Sequence, residues 1–97
     1  METKRKMTTS LVALVKMALR VAKDSLPAYS HRFSPKIFTQ HQLFAILTLR
    51  QFLKTNYRGI KQMLEDFSYL RNVLELMKIP HYSTLCYAEQ RLLKKGF

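Results

Sequence analysis

A chain of 97 residues suffices for one small domain with a modest core and leaves no room for a second. Its apolar share of 47% excludes a disordered basic tail, while 17 Lys and Arg against 6 Asp and Glu, a formal +11, ask for a polyanionic partner, nucleic acid ahead of an anionic membrane surface. Cys86 is the one cysteine, which excludes an intrachain disulfide and a cysteine-built zinc site and fits a reducing cytoplasm.

Residues 1–8 read as a basic, poorly ordered tail, after which Thr9 or Ser10 offers a helix cap. From there to residue 26 the spacing predicts an amphipathic helix. Leu11, Leu14, Val15, Ala18, Leu19, Val21, Ala22 and Leu26 fall on one side, and Lys16, Arg20, Lys23 and Asp24 on the other. Such a pattern fits an ordinary packed helix with a solvated basic face ahead of a membrane-surface or phosphate-contacting one. Lys16, Arg20 and Lys23 also interrupt the apolar run too often for a signal peptide, and no stretch reaches the roughly 20 apolar residues of a membrane span. The expectation is a soluble cytoplasmic protein with no stable membrane insertion.

Pro27 ends this helix, and residues 27–38, with two prolines and no helical period, form a linker pinned to the core by Tyr29, Phe33 and Ile37. His31, Arg32 and Lys36 within it are in reach of a phosphate or simply solvated. The central helix follows over residues 39–54. Thr39 and Gln42 make the Thr-x-x-Gln form of the capping box, with Phe38 and Leu43 at the staple positions. Leu43, Phe44, Ala45, Ile46, Leu47, Leu49, Phe52 and Leu53 leave almost no polar face, so other helices should enclose it.

Thr55 or Asn56 caps a third helix over 57–67, with Ile60, Met63, Leu64 and Phe67 on one face. Gly59 inside it costs about 1 kcal/mol relative to Ala and implies a close helix approach or a tight helix start. Ser68 caps a short helix over 69–77, carrying Leu70, Val73, Leu74 and Met77, which Lys78-Ile79-Pro80 stops. Ser83 then caps a last helix over 83–95 with Tyr82 and Tyr87 as its staple. Leu85, Ala88 and Leu92 face inward. Thr84, Tyr87, Gln90, Arg91 and Lys94 share the outer face, and Glu89 projects to the apolar side, where it needs a basic partner or an exposed edge. No strand signal occurs, so the fold class is all-α, with about five helices packed around Leu43, Phe44, Leu47, Phe52, Ile60, Leu64, Leu74 and Leu85.

The last three helices have the outline of a helix-turn-helix domain. Thr84, Gln90 and Arg91 are the candidates for base edges, Tyr87 and Lys94 flank them, and Arg58, Lys61 and Arg32 are candidates for backbone contacts with double-stranded DNA. Catalysis is not expected. Glu2, Asp24, Glu65, Asp66, Glu75 and Glu89 mostly sit on outer helix faces beside basic residues, whereas two-metal chemistry needs carboxylates converging on ions about 4 Å apart. His31, His41 and His81 lie in unrelated segments, so neither a metal site nor a cofactor site is expected.

The run S-P-K-I-F-T-Q-H-Q-L-F-A-I-L-T-L-R-Q-F-L-K-T-N-Y-R-G-I, followed by L-R-N-V-L-E-L and I-P-H-Y-S-T-L, resembles the N-terminal region of bacterial and archaeal insertion-sequence transposases of the DDE type. The resemblance spans Tyr29 to Leu93, and its most specific pieces are Tyr57-Arg58-Gly59 and Pro80-x-x-Ser83-Thr84-Leu85. It implies a helical domain that binds the terminal repeats of the element ahead of a ribonuclease-H-like catalytic domain, and a place at the nucleoid. The sequence stops at Gly96-Phe97, where that family continues into the catalytic domain, and none of the family's three metal-binding carboxylates can be assigned. A truncated frame, one part of a split transposase and a relic all fit, with a separate catalytic subunit or self-association as the protein contacts implied. Two other classes stay open. A stand-alone DNA-binding regulator would share the helical outline, and a peripheral membrane protein would rest on the first helix.

Overall fold

The computed structural model describes residues 2–28 and 38–93. They form five α-helices: α1 (Glu2–Ser25), α2 (Gln40–Leu53), α3 (Tyr57–Asp66), α4 (Ser68–Leu74) and α5 (Tyr82–Leu93). The fold is all-α. The central helix α2 packs against α1, α3 and α5, while α4 rests on α1 and α3.

Helix α1 begins at Glu2, so residues 2–8 are helical where the sequence suggests a tail. That stretch holds neither Gly nor Pro, and nothing in it breaks the helix upstream of Thr9 and Ser10. The far end is as expected, because Pro27 lies just beyond Ser25. Leu11, Val15, Ala18 and Ala22 are buried against α2, but Val21 turns to solvent. Two side chains then fasten the start of α2 to the exit of α1. Gln40 Nε2 donates to the Pro27 carbonyl at 2.9 Å, and His41 Nε2 stands 2.8 Å from the Leu26 carbonyl, which can only accept. The linker candidates Tyr29, His31, Arg32, Phe33, Lys36 and Ile37 lie outside the described residues.

The capping box on α2 is present in both directions. Thr39 Oγ1 accepts from the Gln42 backbone at 3.0 Å, and Gln42 Oε1 accepts from the Thr39 backbone at 2.9 Å. Gln42 serves a second helix as well, since its Nε2 donates to the carbonyls of Leu74 and Glu75 at the end of α4. Leu43, Ala45, Ile46, Leu47 and Leu49 are buried. Burial of a leucine is worth about 1.5–3 kcal/mol, so this row supplies much of the driving force for assembly. The helix is not enclosed all round. Phe44 and Thr48 are half-buried, Gln51 and Phe52 are exposed, and these four make an outer stripe at helical spacing that apolar content alone conceals. Phe52 is 59% exposed and is not part of the core.

Asn56, not Thr55, caps α3, its side chain accepting from the Gly59 backbone at 2.7 Å. A Cβ on Gly59 would stand 1.9 Å from Thr55 Oγ1, so the glycine answers a tight helix start. Helix α4 departs from expectation at both ends. Phe67 occupies its cap position without a side-chain hydrogen bond, which makes Ser68 the first helical residue and not the cap. The helix stops at Leu74, because Glu75 adopts the left-handed conformation (φ 58°) and its N–H closes back on Arg71 and Asn72. Met77, expected to face inward, is therefore beyond the helix and exposed.

Helix α5 starts one residue earlier than the spacing suggests. The His81 ring takes the capping role assigned to Ser83: its Nδ1 accepts from the Ser83 backbone at 3.2 Å, and the Ser83 hydroxyl lies 2.8 Å away. Tyr82 and Tyr87 are both exposed and do not form a staple. Leu85, Ala88 and Leu92 are buried as expected. Glu89 does find its basic partner, Arg50 of α2, and also accepts from the Tyr57 hydroxyl of α3.

Candidate nucleic-acid interface

Helices α3 and α5 pack against each other, and this contact decides which polar side chains share a surface. Buried Ile60 and Leu64 fix the inner side of α3. Arg58 and Gln62 are thereby turned outward, and Lys61 is left half-exposed beside them. Buried Pro80 seats the entry to α5, after which His81 caps the helix and Tyr82 opens it. Arg58, Lys61, Gln62, His81 and Tyr82 line one open concavity of about 370 Å³.

The geometry within it is aromatic and basic. The Arg58 guanidinium carbon stands 5.7 Å from the centre of the Tyr82 ring, within cation–π range. The rings of His81 and Tyr82 are 4.2 Å apart at a tilt of 38°. Lys61 pairs with Glu65 at 2.7 Å, and Gln62 Nε2 donates to Asp66 at 3.0 Å. Exposed pairs one turn apart stabilise a helix by only about 0.3–0.5 kcal/mol, so Lys61 can exchange Glu65 for a stronger anion at little cost.

The residues predicted to touch DNA divide into three groups. Arg58 and Lys61 meet in the concavity. Tyr87 and Gln90 are exposed on α5, and Gln90 falls one turn at a time in line with Cys86 and Tyr82, on the side of α5 that leads to α3. Thr84 and Arg91 are half-buried on the other side, and Arg91 Nε donates to buried Gln40 of α2 at 3.3 Å. Arg91 thus ties α5 to α2 through its Nε. Lys94 and Arg32 lie outside the described residues. His81 and Tyr82 belong to this surface although the sequence assigns them to a loop and a staple. The signal for them was the adjacency of His, Tyr and Ser ahead of the last helix, which reads equally as capping.

A second basic surface runs along α1, where Lys16, Arg20 and Lys23 line a shallow hollow of about 400 Å³ with Leu19 and Asp24. Ala13, Met17 and Val21 form an exposed apolar stripe beside it. Among the described residues no group of His, Cys, Asp or Glu side chains gathers as a metal-ion site, and no helix is long and apolar enough to cross a membrane. The α4–α5 connection, residues 75–81, is longer than the roughly three- or four-residue turn of a tight helix-turn-helix. Compared with protein-family models, curated proteins and solved structures, the chain matches none.

Proposed function

We propose that this chain is a DNA-binding domain of the insertion-sequence transposase type, which engages the ends of the element and performs no catalysis itself. The observation that carries the proposal is the meeting of Arg58 and Lys61 from α3 with the start of α5 around one concave, aromatic surface, in a chain of formal charge +11. Arg58 and Lys61 contact phosphates there. Tyr87 and Gln90, exposed along α5, supply the contacts to base edges. The ordered resemblance of Tyr57-Arg58-Gly59 and Pro80-x-x-Ser83-Thr84-Leu85 to that transposase region points the same way.

The test is fluorescence anisotropy with duplexes ending in the element's terminal repeat and with scrambled duplexes, across a salt series. Tighter binding to the repeat is expected, with Gln90→Ala relaxing the preference and Lys61→Ala weakening both duplexes alike and lowering the salt slope by about one. Equal affinity for both duplexes reduces the role to non-specific polyanion binding, and absence of binding near physiological salt removes it. A membrane-surface role draws its support from α1, whose Ala13–Met17–Val21 stripe lies beside Lys16 and Arg20. Flotation with anionic vesicles, lost on Met17→Glu, would favour that role instead.

A further inference from the structure

We infer that the concavity between α3 and α5 takes an unstacked DNA base, its ring face against Tyr82 and its phosphate on Arg58 and Lys61. The inference rests on the DNA-binding proposal and names the form of DNA that this site recognises.

Duplex DNA offers phosphates and base edges but keeps its ring faces stacked, so a duplex can use the Tyr82 hydroxyl but not its ring face. Tyr82 keeps 42% of its surface open at the rim of the hollow. The His81 ring packs on Tyr82 at 4.2 Å, leaving the rest of the tyrosine to face the hollow, and the Arg58 guanidinium stands 5.7 Å from the centre of its ring. A site for bare phosphate needs no rings, and a site for an apolar ligand would not be lined by Arg58, Lys61 and Gln62. An aromatic group joined to an anion satisfies both halves. The hollow of about 370 Å³ is open to solvent and has room for one nucleotide. Stacking platforms flanked by cations are the usual means of holding single-stranded nucleic acid. A frayed or overhanging end of DNA presents such a nucleotide.

The experiment compares the wild-type chain with Tyr82→Ala and Tyr82→Phe on three probes: a blunt duplex, the same duplex with a short single-stranded overhang, and a free deoxynucleoside monophosphate as competitor. Since Tyr82 is exposed, both variants should keep the wild-type unfolding midpoint, which thermal melts verify. The overhang should bind about fivefold or more tighter than the blunt duplex, a preference lost in Tyr82→Ala and kept in Tyr82→Phe, which retains the ring face. Equal binding of blunt and overhanging duplex by the wild type overturns the inference while leaving duplex binding intact. So does an equal loss on both in Tyr82→Ala. Tight capture of the free nucleotide with no overhang preference overturns DNA as the source of the base. Failure to bind any of the DNAs removes the DNA-binding proposal and the inference with it.

Discussion

Glu89 of α5 pairs with Arg50 of α2 while its other oxygen accepts the Tyr57 hydroxyl, so a single carboxylate joins three helices. Arg50 makes several contacts in that joint. It donates to the Thr55 carbonyl at 3.1 Å, lies 4.8 Å over the Tyr57 ring, and keeps a buried Nε with no partner among the described residues. Both side chains of the pair are less than one-fifth exposed, at 19% and 18%. Through Tyr57 and Glu89 the cluster ties together α3 and α5, the two helices that carry the candidate surface.

Removing either partner strands a charge in a mostly dry setting. Arg50→Ala and Glu89→Ala should each cost about 2–3 kcal/mol, somewhat below the loss seen for fully buried pairs. The apolar double replacement Arg50→Met with Glu89→Leu should recover most of it, because no lone charge remains. Urea unfolding of the four proteins measures this. Single variants as stable as the wild type would mean that the joint contributes no stability.

Tyr57 adds a pH dependence. Burial, then the hydrogen bond to Glu89 and that residue's negative charge, push its pKa from 10.0 to about 12, against the opposing pull of Arg50. The folded protein therefore holds this proton more tightly than the unfolded chain does. The contribution to stability is fully present below pH 10 and is lost as pH rises through about 12. Phenolate absorbance should show one late-titrating tyrosine that Tyr57→Phe removes. In Tyr57→Phe, the decline in stability across that window should be shallower. An unchanged titration curve in the variant would contradict this assignment.

The core prediction is a contrast within one helix. Leu47 is fully buried, and Leu47→Ala should cost about 2–5 kcal/mol, whereas Phe52→Ala at an exposed site should stay within about 0.5 kcal/mol of wild type. Thermal or denaturant unfolding separates the two cases. Comparable losses at both positions would place Phe52 in the core after all.

Gly59 gives a prediction whose sign depends on its neighbour. Alanine favours a helix over glycine by about 1 kcal/mol, but here its Cβ would meet Thr55 Oγ1 at 1.9 Å and Thr55 Cβ at 3.3 Å. Gly59→Ala should therefore destabilise by about 1–2 kcal/mol through forced displacement of Thr55. In a Thr55→Ala background, with the hydroxyl gone, the same change should become neutral or stabilising. If Gly59→Ala stabilises the unmodified chain, the tight start of α3 is not what keeps glycine there.

The helices were legible wherever a local chemical signal coincided with periodicity. Thr39 and Gln42 announce the start of α2, Pro27 the end of α1, and the spacing of Leu85, Ala88 and Leu92 the buried side of α5. The misread features depend on neighbours distant in sequence. Phe52 is apolar but 59% exposed, and the early stop of α4 rests on Glu75 in a left-handed conformation with its carbonyl held by Gln42. The candidate surface divides the same way. Arg58 and Lys61 are visible as outward basic residues, but their meeting with Tyr82 needs the α3–α5 packing, and the tie from Arg91 to α2 needs Gln40, which lies far from it along the chain.

Amide chemical-shift mapping of the isotope-labelled chain, titrated with duplex DNA carrying the terminal repeat at moderate salt, tests the central claim most directly. The account predicts perturbations concentrated at residues 57–62 and 81–90, with the Lys16–Lys23 segment of α1 nearly unmoved. Perturbations centred on Lys16, Arg20 and Lys23, or shifts spread evenly over every basic residue, would contradict it.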